Sequence, residues 1–220
     1  MNAEPRRAAN RKAKERCILD AALKVFSADG YSGASMDAIA AEAGVSKPTI
    51  YQYFGGKEPL FAAIMLEKRD EMAGVLDHPS DSMVQDLLHF ARAYAAVVMR
   101  PDMLSLARLI IGEAQRFPEI GRAYQATGPD RLLQRIIEYL DRRRTEGRLA
   151  FDDAELAAQD LWGLILSAPR TQALYRPDAI PGPDALARYI LNGLAVYLRA
   201  YSTSPQADLA DLSARTKGET

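Results

Sequence analysis

Residues 35–54 read S-M-D-A-I-A-A-E-A-G-V-S-K-P-T-I-Y-Q-Y-F, and this stretch decides the fold. Two short helical segments flank Gly44-Val45-Ser46. Ser35 is placed to cap a helix over Met36–Ala43, and Gly44 can end it by taking positive φ. Ser46 can cap a second helix over Lys47–Phe54. Pro48 falls in the first turn of that helix, where a missing N–H costs nothing. Ala40 is small enough for the second helix to cross closely, Val45 plugs the angle, and Ile39 and Ile50 face a shared core. This is helix-turn-helix spacing. It leaves Lys47, Pro48, Thr49, Tyr51, Gln52 and Tyr53 at or near the outer face, side chains able to hydrogen-bond phosphates and base edges. A plain helical hairpin with its tyrosines in the core remains the alternative.

Working outward, helical periodicity continues in both directions. Ile18, Ala22, Val25 and Phe26 form one face of a preceding helix that is expected to stop at Gly30. After Gly55-Gly56, a longer helix is predicted from Lys57 to about Leu76, with Pro59 tolerated in its first turn. His78-Pro79-Ser80-Asp81 breaks the chain. Further helices are predicted at about 81–99, 102–115, 118–126, 129–146, 153–168 and 184–201. Pro169–Pro183 holds four prolines and reads as a loop. Ser202–Thr220 is polar and reads as a frayed tail. No run of β-branched residues alternates as a strand does.

Composition narrows the class. The 220 residues are 48% hydrophobic and 26% charged, which excludes a chain disordered throughout, a collagen-like fibre and a disulfide scaffold. No apolar run reaches the roughly 18 residues of a membrane span, and no membrane partner is expected. Met1–Arg16 is charged and lacks a following apolar stretch, so a secretory signal is not expected. Cys17 has no cysteine to pair with, which fits a cytoplasmic protein. Its bland role is a small helix residue. A redox sensor ordinarily uses a resolving cysteine that is missing here.

The formal net charge of −1 hides an uneven distribution. Residues 1–16 carry Arg6, Arg7, Arg11, Lys12, Lys14 and Arg16 against Glu4 and Glu15, a local excess of positive charge suited to phosphate contact. Catalysis finds no support. The two histidines, His78 and His89, stand outside any HExxH, and CxxC, GxSxG and phosphate-binding glycine loops are missing. No catalytic residue, metal ligand set or cofactor is assigned.

With these motifs in place, Ile18–Phe61 resembles the DNA-binding domain of the TetR family of bacterial transcription regulators. The matching residues are I-L-D-A-A-L-K-V-F at 18–26, G-Y at 30–31, the whole of 35–54, and K-E-P-L-F at 57–61. The stretch R-L-I-I-G-E-A-Q-R-F-P-E-I at 108–120 resembles the C-terminal domain of AcrR- or AefR-like members. One departure is Gly56, where many members carry Ser or Asn, and glycine still serves as an N-cap. The resemblance implies a homodimer with two DNA-binding heads and an all-helical C-terminal domain that often binds a small effector. Carried over by position, Ser35 and Lys57 contact phosphates at helix starts. Lys47, Pro48 and Thr49 face base edges, and Tyr51 and Tyr53 reach the backbone. Ser46 and Gln52 complete the DNA-binding set.

The expected architecture is therefore all-α. It comprises a basic arm at 1–16, a helix-turn-helix domain at 17–62, a helical ligand-binding and dimerisation domain at 63–201, and a polar tail at 202–220. Leu186, Tyr189, Ile190, Gly193, Leu194, Tyr197, Leu198 and Tyr201 repeat at helical spacing. This stripe packs either inside one subunit or, as the resemblance favours, across a two-fold four-helix interface with the 153–168 helix. Trp162 and Leu166 are candidates for the same interface. Leu161–Leu166 is apolar all round and must be covered on several sides. Phe90, Tyr94, Met103, Phe117 and Trp162, together with His89, Met99 and Tyr124, are candidates to line an effector cavity. Arg108, Glu113 and Arg170 are either solvated or polar anchors within it. The expected partners are a near-palindromic double-stranded DNA, a second copy of the chain and a small apolar effector. The competing expectation is a helical ligand-binding or enzyme domain with a structural N-terminal hairpin.

Overall fold

The computed structural model describes residues 3–64 and 76–217. Among these the chain is helical, with a single isolated antiparallel bridge between Leu149 and Ser202. The helices are α1 (Ala3–Gly33), α2 (Met36–Ala43), α3 (Lys47–Phe54) and α4, described over residues 57–64. They continue as α5 (Met83–Val98), α6 (Pro101–Glu113), α7 (Pro118–Thr127), α8 (Pro129–Thr145), α9 (Ala154–Tyr175), α10 (Pro183–Tyr201) and α11 (Pro205–Lys217). Most of the remainder of the helix expected as far as Leu76 lies outside the described residues. The chain divides into two compact units, Met1–Lys68 with Pro101–Gly128, and Arg69–Arg100 with Pro129–Thr220.

The first unit is built on its caps. Ser35 Oγ accepts the Ala38 N–H at 3.0 Å, and Ser46 Oγ accepts the Thr49 N–H at 3.3 Å. Gly44 takes φ 62° and Gly55 φ 80°, left-handed values that suit glycine at helix ends. Ile18, Ala22 and Phe26 of α1 meet Ile39, Ile50, Leu60 and Phe61 in one core. Phe61 sits edge-on to Phe26 and Tyr31 at 5.3 and 5.5 Å. The same core includes Leu106 and Ile110 of α6 and Ile120 of α7. The domain boundary expected at residue 62 is therefore incomplete, because α6 and α7 belong to this unit.

The basic arm expected at 1–16 is helical from Ala3. Its Ala, Arg, Lys and Glu are strong helix formers, and Pro5 lies in the first turn. Gly30, with φ 73° and ψ 168°, breaks the helical backbone as expected, and a separate short turn follows to Gly33.

In the second unit α5 is buried along most of its length and packs against α9, α10 and α11. Helices α9 and α10 run antiparallel, with Asp160 bonded to the Tyr201 hydroxyl and Gly193 lying against Leu164. A Cβ at Gly193 would collide with the Leu164 carbonyl and fall 3.1 Å from the Ile165 nitrogen. Glycine is thus what lets the two backbones approach.

Two further corrections concern proline and polarity. Helix α9 does not stop at 168 but runs through Pro169 to Tyr175. Pro169 and Ala173 are buried, and their packing offsets the lost backbone bond. The expected polar tail forms α11, because its polar groups find partners. Asp208 accepts from Ser202 Oγ and from Arg148. Arg215 donates to Gln85 at 3.0 Å and to Ser82 at 3.1 Å, and Leu212 is buried.

An ionic cluster lies inside this unit. Arg143 Nη2 donates to Asp86 Oδ2 at 2.7 Å, and both side chains are almost fully buried. The Tyr139 hydroxyl donates to the same carboxylate at 3.1 Å, and the Ser80 hydroxyl donates to Oδ1 at 2.7 Å. Burial opposes the charge on Arg143, but its bonds to Glu146, Tyr139 and Asp86 outweigh burial and keep it a cation. Burial pushes the Tyr139 hydroxyl well above the ordinary tyrosine range, so it serves as a donor.

Candidate functional site

Helix α3 is anchored by Ile50, with Tyr53 and Phe54 packed beside it, and open on the other side. Ile50 is fully buried, whereas Lys47, Pro48, Tyr51 and Gln52 are exposed and Thr49 and Tyr53 half-buried. The turn of Gly44-Val45-Ser46 thus presents the first turn of α3 to solvent. The hydroxyls of Ser46 and Thr49 lie 2.7 Å apart, so the capping residue also orients the threonine.

The cations around α3 are held rather than loose. Lys47 Nζ donates to Asp37 Oδ2 of α2 at 2.8 Å, and that bond raises the ammonium above its ordinary value. The Arg11 guanidinium of α1 sits 5.8 Å from the centre of the Tyr53 ring. Lys57 lies over the Tyr31 ring at 4.6 Å and donates to the Ser32 carbonyl at 3.4 Å. Burial lowers its pKa, opposed by the Glu113 carboxylate. Ser35, at the start of α2, is exposed and acts as a cap. The arrangement is a helix end bearing hydroxyl, ammonium and phenol groups, backed by helix N-termini and basic side chains on α1. It has the chemistry of a surface that reads a polyanion with a patterned edge.

The Asp37 and Arg11 partnerships were not read from the sequence. Asp37 is in the quoted stretch, and its place on the first turn of α2 was the available signal.

The second unit contains a cleft of about 330 Å³ between α5 and α9, lined by Tyr94, Trp162 and Leu166 with Gln159, Ser167 and Arg170. Tyr94 and Trp162 meet edge to face at 6.1 Å, and Phe90 stacks behind Tyr94 at 6.1 Å. Three expected effector residues therefore gather here. Of the others, Met103 and Phe117 pack on the core of the first unit, where Arg108 donates to Ser105 at 3.2 Å, and Met99 is buried in the second. His89 faces solvent. Arg170 is the charged side chain among those that line the cleft.

The stripe on α10 is mostly interior to one chain. Ile190, Gly193, Leu194 and Tyr197 are buried, as is Leu166 on α9, while Leu186 and Trp162 are half-buried. The apolar side chains left outside on these helices include Leu156 and Leu164 of α9 and Tyr189 and Val196 of α10. Cys17 is exposed, with its thiol 3.7 Å from the Ala43 carbonyl.

Comparison with known proteins decides the family. Residues 18–64 match the bacterial regulatory proteins of the TetR family, and residues 85–203, over half the chain, match the AefR-like transcriptional repressor C-terminal domain. The chain belongs to the TetR family. A TetR-family transcriptional regulator from Mesorhizobium loti is 32% identical, with 87% of this chain and 98% of that one superposed at a TM-score of 0.77. The flavonoid-responsive regulator FrrA is 30% identical over 87% of this chain and 98% of its own, with a TM-score of 0.69. The HTH-type transcriptional regulator SrpR of Pseudomonas putida is 32% identical over 60% of this chain, and the match spans 62% of SrpR's length.

Within the TetR family frame, α2 and α3 are the helix-turn-helix and the second unit holds most of the AefR-like domain. No described helix is long and apolar enough to cross a membrane.

Proposed function

We propose that this TetR-family protein is a cytoplasmic, sequence-specific DNA-binding transcription regulator. It acts as a homodimer and represses until a small effector releases it. The observation that carries this is the first turn of α3, where Lys47 and Pro48 are exposed and Thr49 half-buried, while Ile50, with Tyr53 and Phe54, fixes the helix to the core. A helix end so presented fits the major groove, and a two-fold dimer presents it twice. The target is a near-palindrome with half-sites about one helical turn, or a multiple, apart.

The exposed Leu164, Tyr189 and Val196 supply an apolar surface on α9 and α10 for the second copy. Effector control is supported by the cleft beside Trp162 and by the flavonoid response that FrrA's name records. An effector needs only unequal affinity for the DNA-bound and released states.

The test is selection of bound sequences from a random DNA pool, followed by mobility-shift titration. Thr49→Ala and Lys47→Ala are expected to cost about 1–3 kcal/mol on the selected operator and less on random DNA. A random pool that yields no enriched sequence overturns the proposal.

A further inference from the structure

Arg170 is out of keeping with its surroundings. It projects from α9 into the cleft beside Trp162, one residue after the buried Pro169. Its Nε is buried and has no hydrogen-bond partner. Buried guanidinium donors are ordinarily satisfied, by a carboxylate above all. No acidic side chain lines this cleft. Gln159, also in the lining, donates to Glu155 at 3.1 Å.

The rest of the lining defines what else the occupant must be. Trp162 and Tyr94 supply an edge-to-face pair of aromatic surfaces, and Leu166 is apolar. Ser167 and Thr171 add hydroxyls along the same side of α9. Gly163 leaves open space, with nothing within 4 Å of where its Cβ would stand. A volume of about 330 Å³ suits a one- or two-ring molecule.

We infer that this cleft takes a planar aromatic carboxylate, with its ring against Trp162 and Tyr94 and its carboxylate on the guanidinium of Arg170. The inference rests on the reading of the second unit as an effector domain and names the effector's chemical class. Arg170 is only half-buried, and its planar guanidinium carries parallel donors at the spacing that a carboxylate accepts bidentately. The ligand supplies the negative charge that the lining lacks. This changes the expectation of a merely apolar effector.

The test is calorimetric titration of the full chain, without DNA, with 2-naphthoate, benzoate and the neutral isostere 2-naphthamide. The acids are expected to bind, and 2-naphthoate at least about tenfold more tightly than the amide. Arg170→Gln is expected to remove that advantage and leave amide binding as it was, and Arg170→Lys to restore only part of it. Gly163→Leu fills the cleft, favours the helix and should weaken acid and amide alike. Inorganic phosphate is expected not to compete. The inference is overturned if acid and amide bind equally, if Arg170→Gln keeps the acid's affinity in a protein with a normal circular dichroism spectrum, if phosphate competes as well as naphthoate, or if neither acid binds at about 1 mM. Because no DNA is present, such a result leaves the regulator reading standing. Failure to select an operator while naphthoate still binds removes the regulator reading alone.

Discussion

Lys57 is worth more to a ligand than to its own fold. Its ammonium lies over Tyr31 but loses water there, and burial lowers its pKa. The charged form is therefore disfavoured in the folded protein. That cost is fully present at neutral pH and disappears as pH rises through the window just below the ordinary lysine value of 10.5. Lys57→Met should leave the melting temperature at pH 7 unchanged or slightly higher. It should weaken binding to operator and random DNA alike and make the salt slope shallower by about one. A fall in melting temperature with no change in DNA binding would count against this. Gly193 behaves in the opposite way, serving the fold alone. Gly193→Ala drives a methyl group into the Leu164 carbonyl, so α9 and α10 must separate. A loss on the order of 1–3 kcal/mol or more is expected in urea unfolding. A neutral substitution would mean that the helices are further apart than described.

At the scale of elements, local rules worked wherever the deciding residue acts on its own backbone. Ser35, Gly44, Ser46 and Gly55 fix the ends of α2 and α3 through caps and positive φ, and all are visible as residue types in sequence. Local rules failed where a distant partner decides. Pro169 signals a helix end, yet the buried Pro169 and Ala173 keep α9 going. The polar composition of α11 signals a frayed tail, yet Asp208 and Arg215 are paired with Arg148, Ser82 and Gln85. Arg170 was visible as a candidate anchor, but its role depends on what lines the cleft around it, which sequence spacing does not contain. A direct check on α11 is Leu212→Ala, since Leu212 is 5% exposed. It should cost about 2 kcal/mol in urea unfolding. A frayed tail would register no change.

For the whole molecule, the proposed dimer and the protomer core can be tested separately, because the proposal places them on different faces of the same helices. Leu194 is 0% exposed within one chain, whereas Leu164 and Val196 are 38% and 37% exposed. Leu194→Glu should therefore unfold the protein, by burying a charge with no partner. Leu164→Glu or Val196→Glu should give a folded monomer by sedimentation, with a normal circular dichroism spectrum and much weakened operator binding. Dimers that survive both exposed-face substitutions would place the interface elsewhere. The division into units also has a consequence for how the protein is made. The head that carries α3 is not one continuous segment. The chain leaves it at Lys68 and returns at Pro101, and Leu106, Ile110 and Ile120 complete its core. A nascent chain on the ribosome cannot close this core until α7 has emerged. Until then the core that holds Phe26 and Phe61 lacks Leu106, Ile110 and Ile120. A fragment cut after residue 68 is expected to melt at a lower temperature than a splice that also carries residues 101–128, because only the splice holds the whole core.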